Sequence, residues 1–146
     1  MVVIQNTIND TRVDESSLSN IMQSVIEGLD NGDSELVIRI VDMDEIRSLN
    51  NTYRHKDEAN NVLSFDNNLP IEIDEKILGD VVICTEVVSE EAKEQNKSFN
   101  DHMVHISVHG TLHLMGYDHL EKDEASKMES LEINILGKIG ISNPYQ

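Results

Sequence analysis

The chain has 146 residues, 38% of them hydrophobic, and its 28 acidic against 11 basic side chains give a formal net charge of −17 at pH 7. This length predicts a single domain over residues 1–146, and the excess of acids argues against broad, nonspecific binding of nucleic acids, which needs many Lys and Arg side chains. There is no leader-like N-terminus, no apolar run of about 20 residues and no second cysteine beside Cys84, so we expect a soluble cytoplasmic protein without a membrane span or a disulfide.

Apolar residues at helical spacing predict five helices, and short β-branched runs predict four strands. In chain order these are strand Val2–Gln5, helix Asp14–Leu29, strand Glu35–Asp42, helix Met43–Tyr53, strand Val62–Phe65, strand Leu78–Cys84, helix Val87–Glu94, helix Asp101–Met115 and helix Lys122–Leu136. Asp42 and Asn100 are predicted N-caps, Arg54–Asn61 a polar loop and Asp66–Asp74 a turn-like segment. The pattern predicts an α/β or α+β fold with a four-stranded mixed sheet covered by about five helices. The strand order does not follow from it.

Three histidines close together are the most informative feature of the chain. His109, His113 and His119 form the pattern H-x-x-x-H-x-x-x-x-x-H. Side chains four residues apart lie on one helix face, which suits His109 and His113 as neighbouring ligands of one tetrahedral ion. Gly116 provides the permissive backbone that ends the helix and lets His119 return as the third ligand. Three imidazoles leave one position for water, which is typical of a catalytic Zn²⁺ site.

The neighbouring polar residues have more than one interpretation. His105 lies one turn before His109, but it is about 12 Å along the axis from His113, too far to share an ion with it, so we expect a polar core residue or a neighbour of the site. His102 and His55 are expected to be solvated. Asp118 is a candidate for orienting an imidazole or accepting a proton, although a turn aspartate bonded to its own backbone explains it equally well.

The histidine spacing is also that of the metzincin peptidases, which makes a metallopeptidase-like hydrolase one alternative. Such a peptidase carries its general-base glutamate directly after the first histidine. This chain has Gly110 there. The ligand pattern is therefore present while the peptidase base is absent.

Several further segments carry patterns that recur together in one protein family. They are Leu49–Arg54, Asn61–Phe65, Leu78–Cys84 and His105–His119, with Glu124-Ala125 and Met128-Glu129 after them. In this order and spacing they resemble the YbeY family of metal-dependent, single-strand-specific endoribonucleases. The chain departs from the family pattern at His55–Asn60 and at Asp66, in a loop beside the expected site.

The resemblance implies that His109, His113 and His119 bind one Zn²⁺ with water as fourth ligand, and that Arg54 faces the same cleft. An arginine there could hold a phosphate with two hydrogen bonds. The implied role is single-stranded RNA cleavage in 16S ribosomal RNA 3′-end maturation and ribosome quality control, with ribosomal RNA and ribosome-associated proteins as partners. The acidic charge leaves a second alternative open, a zinc-stabilised ribosome-assembly factor with little catalysis of its own.

Overall fold

A computed structural model describes residues 1–66, 77–118 and 120–145 of the chain. The elements in chain order are β1 (Val2–Asn6), α1 (Glu15–Gly28), β2 (Glu35–Val41), α2 (Met43–Arg54), β3 (Val62–Asp66), β4 (Ile77–Cys84), α3 (Thr85–Glu94), α4 (Phe99–Leu114) and α5 (Lys122–Lys138). The predicted α+β class, with a four-stranded mixed sheet and five helices, is confirmed. None of the described helices combines the length and apolar character needed to cross a membrane.

The sheet has the strand order β1-β2-β4-β3. β1, β2 and β4 are parallel, and β3 runs antiparallel to β4 at one edge. The helices α1 and α2 connect the parallel strands, as parallel pairing requires a long crossover. Among the described residues, β3 has a strand partner on one side only, and the site described below lies beside β3.

Two hydrophobic clusters cover the two faces of the sheet. Because side chains alternate along a strand, Val81 and Ile83 of β4 belong to the larger cluster, whereas Val82 and Cys84 belong to the smaller one. The larger cluster contains the apolar faces of α1, α4 and α5, and the smaller one contains Ile46 of α2. The sheet is thus enclosed between α2 on one face and the other helices, led by α4, on the opposite face.

Helix α4 is buried on nearly all sides and packs directly on β3 and β4. Gly110 allows the close approach, since a Cβ built there would lie 2.7 Å from Cγ1 of Val81 and 3.0 Å from Cγ2 of Val62. Ser64 of β3 fixes the contact by donating its hydroxyl to the carbonyl oxygen of Gly110 at 2.8 Å. This contact places the adjacent His109 beside the edge strand β3.

Three predicted helix boundaries need correction. The N-cap of α4 is Ser98 rather than Asn100, because the Ser98 hydroxyl accepts from the amide of Asp101 at 3.1 Å. α3 begins at Thr85, two residues before the predicted start, and follows β4 without a loop. Arg54 is the last residue of α2 rather than the first of a loop.

The predicted N-cap Asp42 is confirmed, because its side-chain oxygen accepts a hydrogen bond from the amide of Glu45 at 2.8 Å. Of the predicted turn-like segment 66–74, Asp66 ends β3, and the rest lies outside the described residues.

We expect Gly110→Ala to destabilise the protein by about 1–2 kcal/mol, because overpacking against stiff valines outweighs the gain in helix propensity. Gly137→Ala is the matched control, since a Cβ at Gly137 of α5 meets nothing within 4 Å. That control should be stabilising by up to about 1 kcal/mol. Urea unfolding of both variants measures the difference, and equal stability of the two would contradict the close packing of α4.

Candidate functional site

Helix α4 brings His109 and His113 together at its C-terminal end. Their rings meet edge to face, with centroids 4.7 Å apart, and their Nε2 atoms are 3.1 Å apart. Two nitrogens that bind the same tetrahedral zinc at 2.0–2.1 Å would be about 3.3 Å apart. The spacing of the two imidazoles therefore matches a shared metal ion.

A buried carboxylate orients the first of these imidazoles. Glu132 of α5 is completely buried and accepts a hydrogen bond from Nδ1 of His109. Its other oxygen accepts from the hydroxyl of Tyr145 and lies 3.8 Å from Nε2 of His105. Burial raises the pKa of Glu132, but these contacts with His105, His109 and Tyr145 outweigh burial and bring the pKa to about 2. The carboxylate is therefore ionised, and it holds both donors in place.

The proton arrangement at His109 suits a metal ligand. An ionised carboxylate can only accept, so Nδ1 of His109 must carry the proton and Nε2 presents a lone pair toward His113. Metal-binding imidazoles commonly donate their second ring N–H to a carboxylate in this way. Of the three predicted ligands, His109 and His113 fit this function. His119 lies outside the described residues, and no group of three potential metal ligands occurs within them.

The two histidines open into a cleft of about 670 Å³. The cleft runs between α4, the edge strand β3 and the end of α2. Its lining residues are Tyr53, Arg54, Val62, Leu63, Ser64, Phe65, Asp66, His109 and His113. Arg54 therefore lines the same cleft as His109 and His113.

Arg54 differs from the other arginines in its surroundings. Arg12, Arg39 and Arg47 each form an ion pair with a carboxylate. Within residues 1–66, 77–118 and 120–145, the guanidinium of Arg54 has no hydrogen bond and no ion pair. A cation without a partner among the described residues, in a cleft beside two imidazoles, suits an anionic ligand such as a phosphate.

The remaining polar residues singled out in the sequence differ in how well their surroundings match the predictions. Gly116 follows the end of α4 with a φ of +95°, as predicted for the residue that ends this helix. Asp118 comes two residues later and is half-buried. It is not among the described residues that line the cleft. His55 is exposed, as expected. The expectation that His102 is solvated is wrong: it is 2% exposed, and its Nε2 lies 3.0 Å from a carboxylate oxygen of Glu91. His105 is the expected polar core residue, 9% exposed.

The sequence interpretation missed Glu132 and Tyr145. A signal was present for Glu132, because it stands four residues after Met128 and four before Leu136, the two other buried residues of α5. An acid in the middle of an apolar helix face must have a buried partner. For Tyr145 there was no comparable signal, since it lies in the C-terminal tail beyond the last helix.

The position after His109 explains the absence of a peptidase base. Gly110 faces Val81 of β4 and Val62 of β3, at 2.7 and 3.0 Å from a Cβ built on it. A glutamate there would collide with the sheet. The metallopeptidase alternative therefore lacks structural support at the residue on which it depends.

Comparisons with known proteins agree with the family resemblance. Residues 3–140 match the profile of the family described as Endoribonuclease YbeY. Proteins of that name from Ruthia magnifica and Idiomarina loihiensis are 60% and 49% identical to this chain, over 99% and 91% of its length and 100% and 83% of theirs. The solution structure of TM1509 from Thermotoga maritima superposes with a TM-score of 0.60 at 26% identity, covering 95% of this chain and 91% of that one. The chain belongs to the endoribonuclease YbeY family.

Proposed function

We propose that this protein cleaves single-stranded RNA by metal-assisted hydrolysis of a phosphodiester. The observation that carries the proposal is the meeting, in one cleft, of two imidazoles whose Nε2 atoms are 3.1 Å apart and an arginine without an ion-pair partner among the described residues. Relatives that match nearly the whole chain are named endoribonucleases, which supports RNA as the substrate.

His109 and His113 would hold the metal ion, with His119 as the predicted third ligand. We propose Zn²⁺, because imidazole nitrogens suit zinc and three protein ligands leave one position for water. Bound there, zinc would supply a Lewis acid that polarises a phosphoryl oxygen and makes water more acidic. The Glu132 carboxylate keeps His109 in the tautomer that presents Nε2 to the ion.

Arg54 would bind the scissile phosphate and offset the charge that develops on its oxygens during cleavage. It lies at the C-terminal end of α2 and lines the same cleft as the two histidines of α4, which supports this role. Asp118 is our proposal for the group that handles the proton. Its half-buried place after the helix turn leaves either a proton-accepting or an orienting role open to it.

The charge of the protein bears on how RNA reaches this cleft. A chain with a net charge of −17 repels RNA at long range, so the local cation Arg54 and a protein escort would have to overcome the repulsion. We therefore propose that the substrate is ribosomal RNA presented by ribosome-associated proteins in the cytoplasm. The 3′ end of 16S RNA, with a role in ribosome quality control, is the specific target proposed. The same charge favours a second candidate, a zinc-stabilised assembly factor with little activity of its own.

We expect Arg54→Ala to lower kcat/KM for a single-stranded RNA about 10²–10³-fold while zinc content stays at one equivalent, because the lost contact stabilises the transition state. His113→Ala should lose both zinc and cleavage. Arg47→Ala is the matched control on the same helix, since Arg47 forms an exposed ion pair with Asp57. It should change the rate less than about twofold.

Zinc analysis and cleavage assays on the same purified preparations provide the test. Stoichiometric zinc without cleavage by the wild type, in preparations free of contaminating nuclease, would support the assembly-factor candidate instead. Equal activity of Arg54→Ala and wild type would remove Arg54 from the proposed mechanism.

We expect Glu132→Gln to weaken zinc binding about 10–100-fold, since the neutral amide no longer favours a proton on Nδ1 of His109. Glu124→Gln, an exposed acid on the same helix, is the control with equal loss of charge. Competition against a chromophoric chelator gives both affinities. Unchanged affinity in Glu132→Gln, with the fold intact by circular dichroism, would show that the carboxylate has only a structural function.

A further inference from the structure

Two aromatic side chains form one wall of the cleft. Tyr53, in the last turn of α2, and Phe65, near the end of β3, both line it. Their rings meet edge to face with centroids 5.2 Å apart and an interplanar angle of 68°. The chain has only two Phe and three Tyr residues in all, and two of these five side chains lie together in this cleft.

The pair is poorly explained by core packing alone. Tyr53 is 63% exposed, so its ring contributes little to the hydrophobic interior. Phe65 is partly buried against the smaller cluster, and its ring contacts the Tyr53 ring. The result is an aromatic ring held by a neighbouring ring with surface left open to solvent in the cleft, and such a surface can stack with another flat ring.

The charges nearby indicate what kind of group would cover the ring. Arg54 follows Tyr53 in the chain and lines the same cleft, so a phosphate held by Arg54 brings its own nucleotide close to the aromatic wall. Asp66, the next residue after Phe65, also lines the cleft and repels a second phosphate from that side. A flat, uncharged ring therefore suits this wall better than the RNA backbone does.

We propose that Tyr53, supported by Phe65, is a stacking subsite for an unpaired nucleobase beside the phosphate bound by Arg54. This subsite rests on the proposed function and extends it to substrate selection. A base within a duplex is stacked on its neighbours and cannot reach the ring, whereas a base of a single strand can. Because every base has a π-face, the subsite selects for unpaired RNA and not for sequence.

The test uses zinc-loaded protein and a series of single-stranded RNA octamers, each with one abasic ribose at a different position. For the wild type, we expect one abasic position to lower kcat/KM about tenfold relative to the intact octamer. Tyr53→Leu should cleave the intact octamer about tenfold more slowly and show no further loss at that position. Tyr53→Phe, which keeps the ring, should behave like the wild type.

Met43→Ala is the control, because Met43 is an exposed apolar residue on the same helix, about 15 Å along the axis from Tyr53. It should leave both rate and positional pattern unchanged. Thermal unfolding of each variant checks the fold, and Phe65→Leu, with a smaller loss at the same position, gives an independent variant of the pair.

The outcomes separate the subsite from the nuclease proposal. Cleavage of the intact octamer by Tyr53→Leu at the wild-type rate, or an unchanged penalty at the abasic position, overturns the subsite and leaves the nuclease in place. Failure of the wild type to cleave any octamer overturns the proposed function and the subsite together.

Discussion

A single buried carboxylate holds the site of this protein together. Glu132 is fully buried in α5, and an uncompensated charge at such a depth would be strongly destabilising. Its compensation comes from His109 of α4 and from Tyr145 in the C-terminal tail. The same hydrogen bonds that make the charge tolerable also fix the orientation of the imidazole that faces the cleft. Stability of the fold and geometry of the site therefore depend on one interaction.

The chain as a whole is strongly acidic, whereas the cleft beside the two imidazoles contains an arginine. The chain carries 28 acidic against 11 basic side chains, which favours solubility and opposes nonspecific contact with RNA. Among the described residues, the cleft is lined by Arg54, the two imidazoles and the carboxylate of Asp66. A substrate phosphate is thus favoured at one place on a surface that otherwise repels it.

The close contact between α4 and the sheet sets the shape of the cleft. Gly110 lets the helix approach β3 and β4. The hydroxyl of Ser64, on the edge strand β3, donates a hydrogen bond to the carbonyl oxygen of Gly110. His109 comes directly before this glycine, so its distance from the wall formed by β3 is set by backbone packing. The requirement for a small residue there also removes the position at which a peptidase would carry its base. One packing constraint thus shapes the cleft and limits its chemistry.

The sequence by itself determined the elements of the fold and the pairing of His109 with His113, because helical periodicity and i, i+4 spacing are local properties of the chain. It also placed Arg54 in the cleft, but only through the resemblance to the YbeY family. The strand order β1-β2-β4-β3, the burial of His102 beside Glu91 and the contact of Glu132 with His109 were decided by tertiary structure. Glu132 and His109 are separated by 23 residues and Tyr145 by a further 13, and nothing in the local pattern relates residues on different elements. Only packing of α5 and the tail against α4 brings the three together, because burial of a charge is a property of the assembled core.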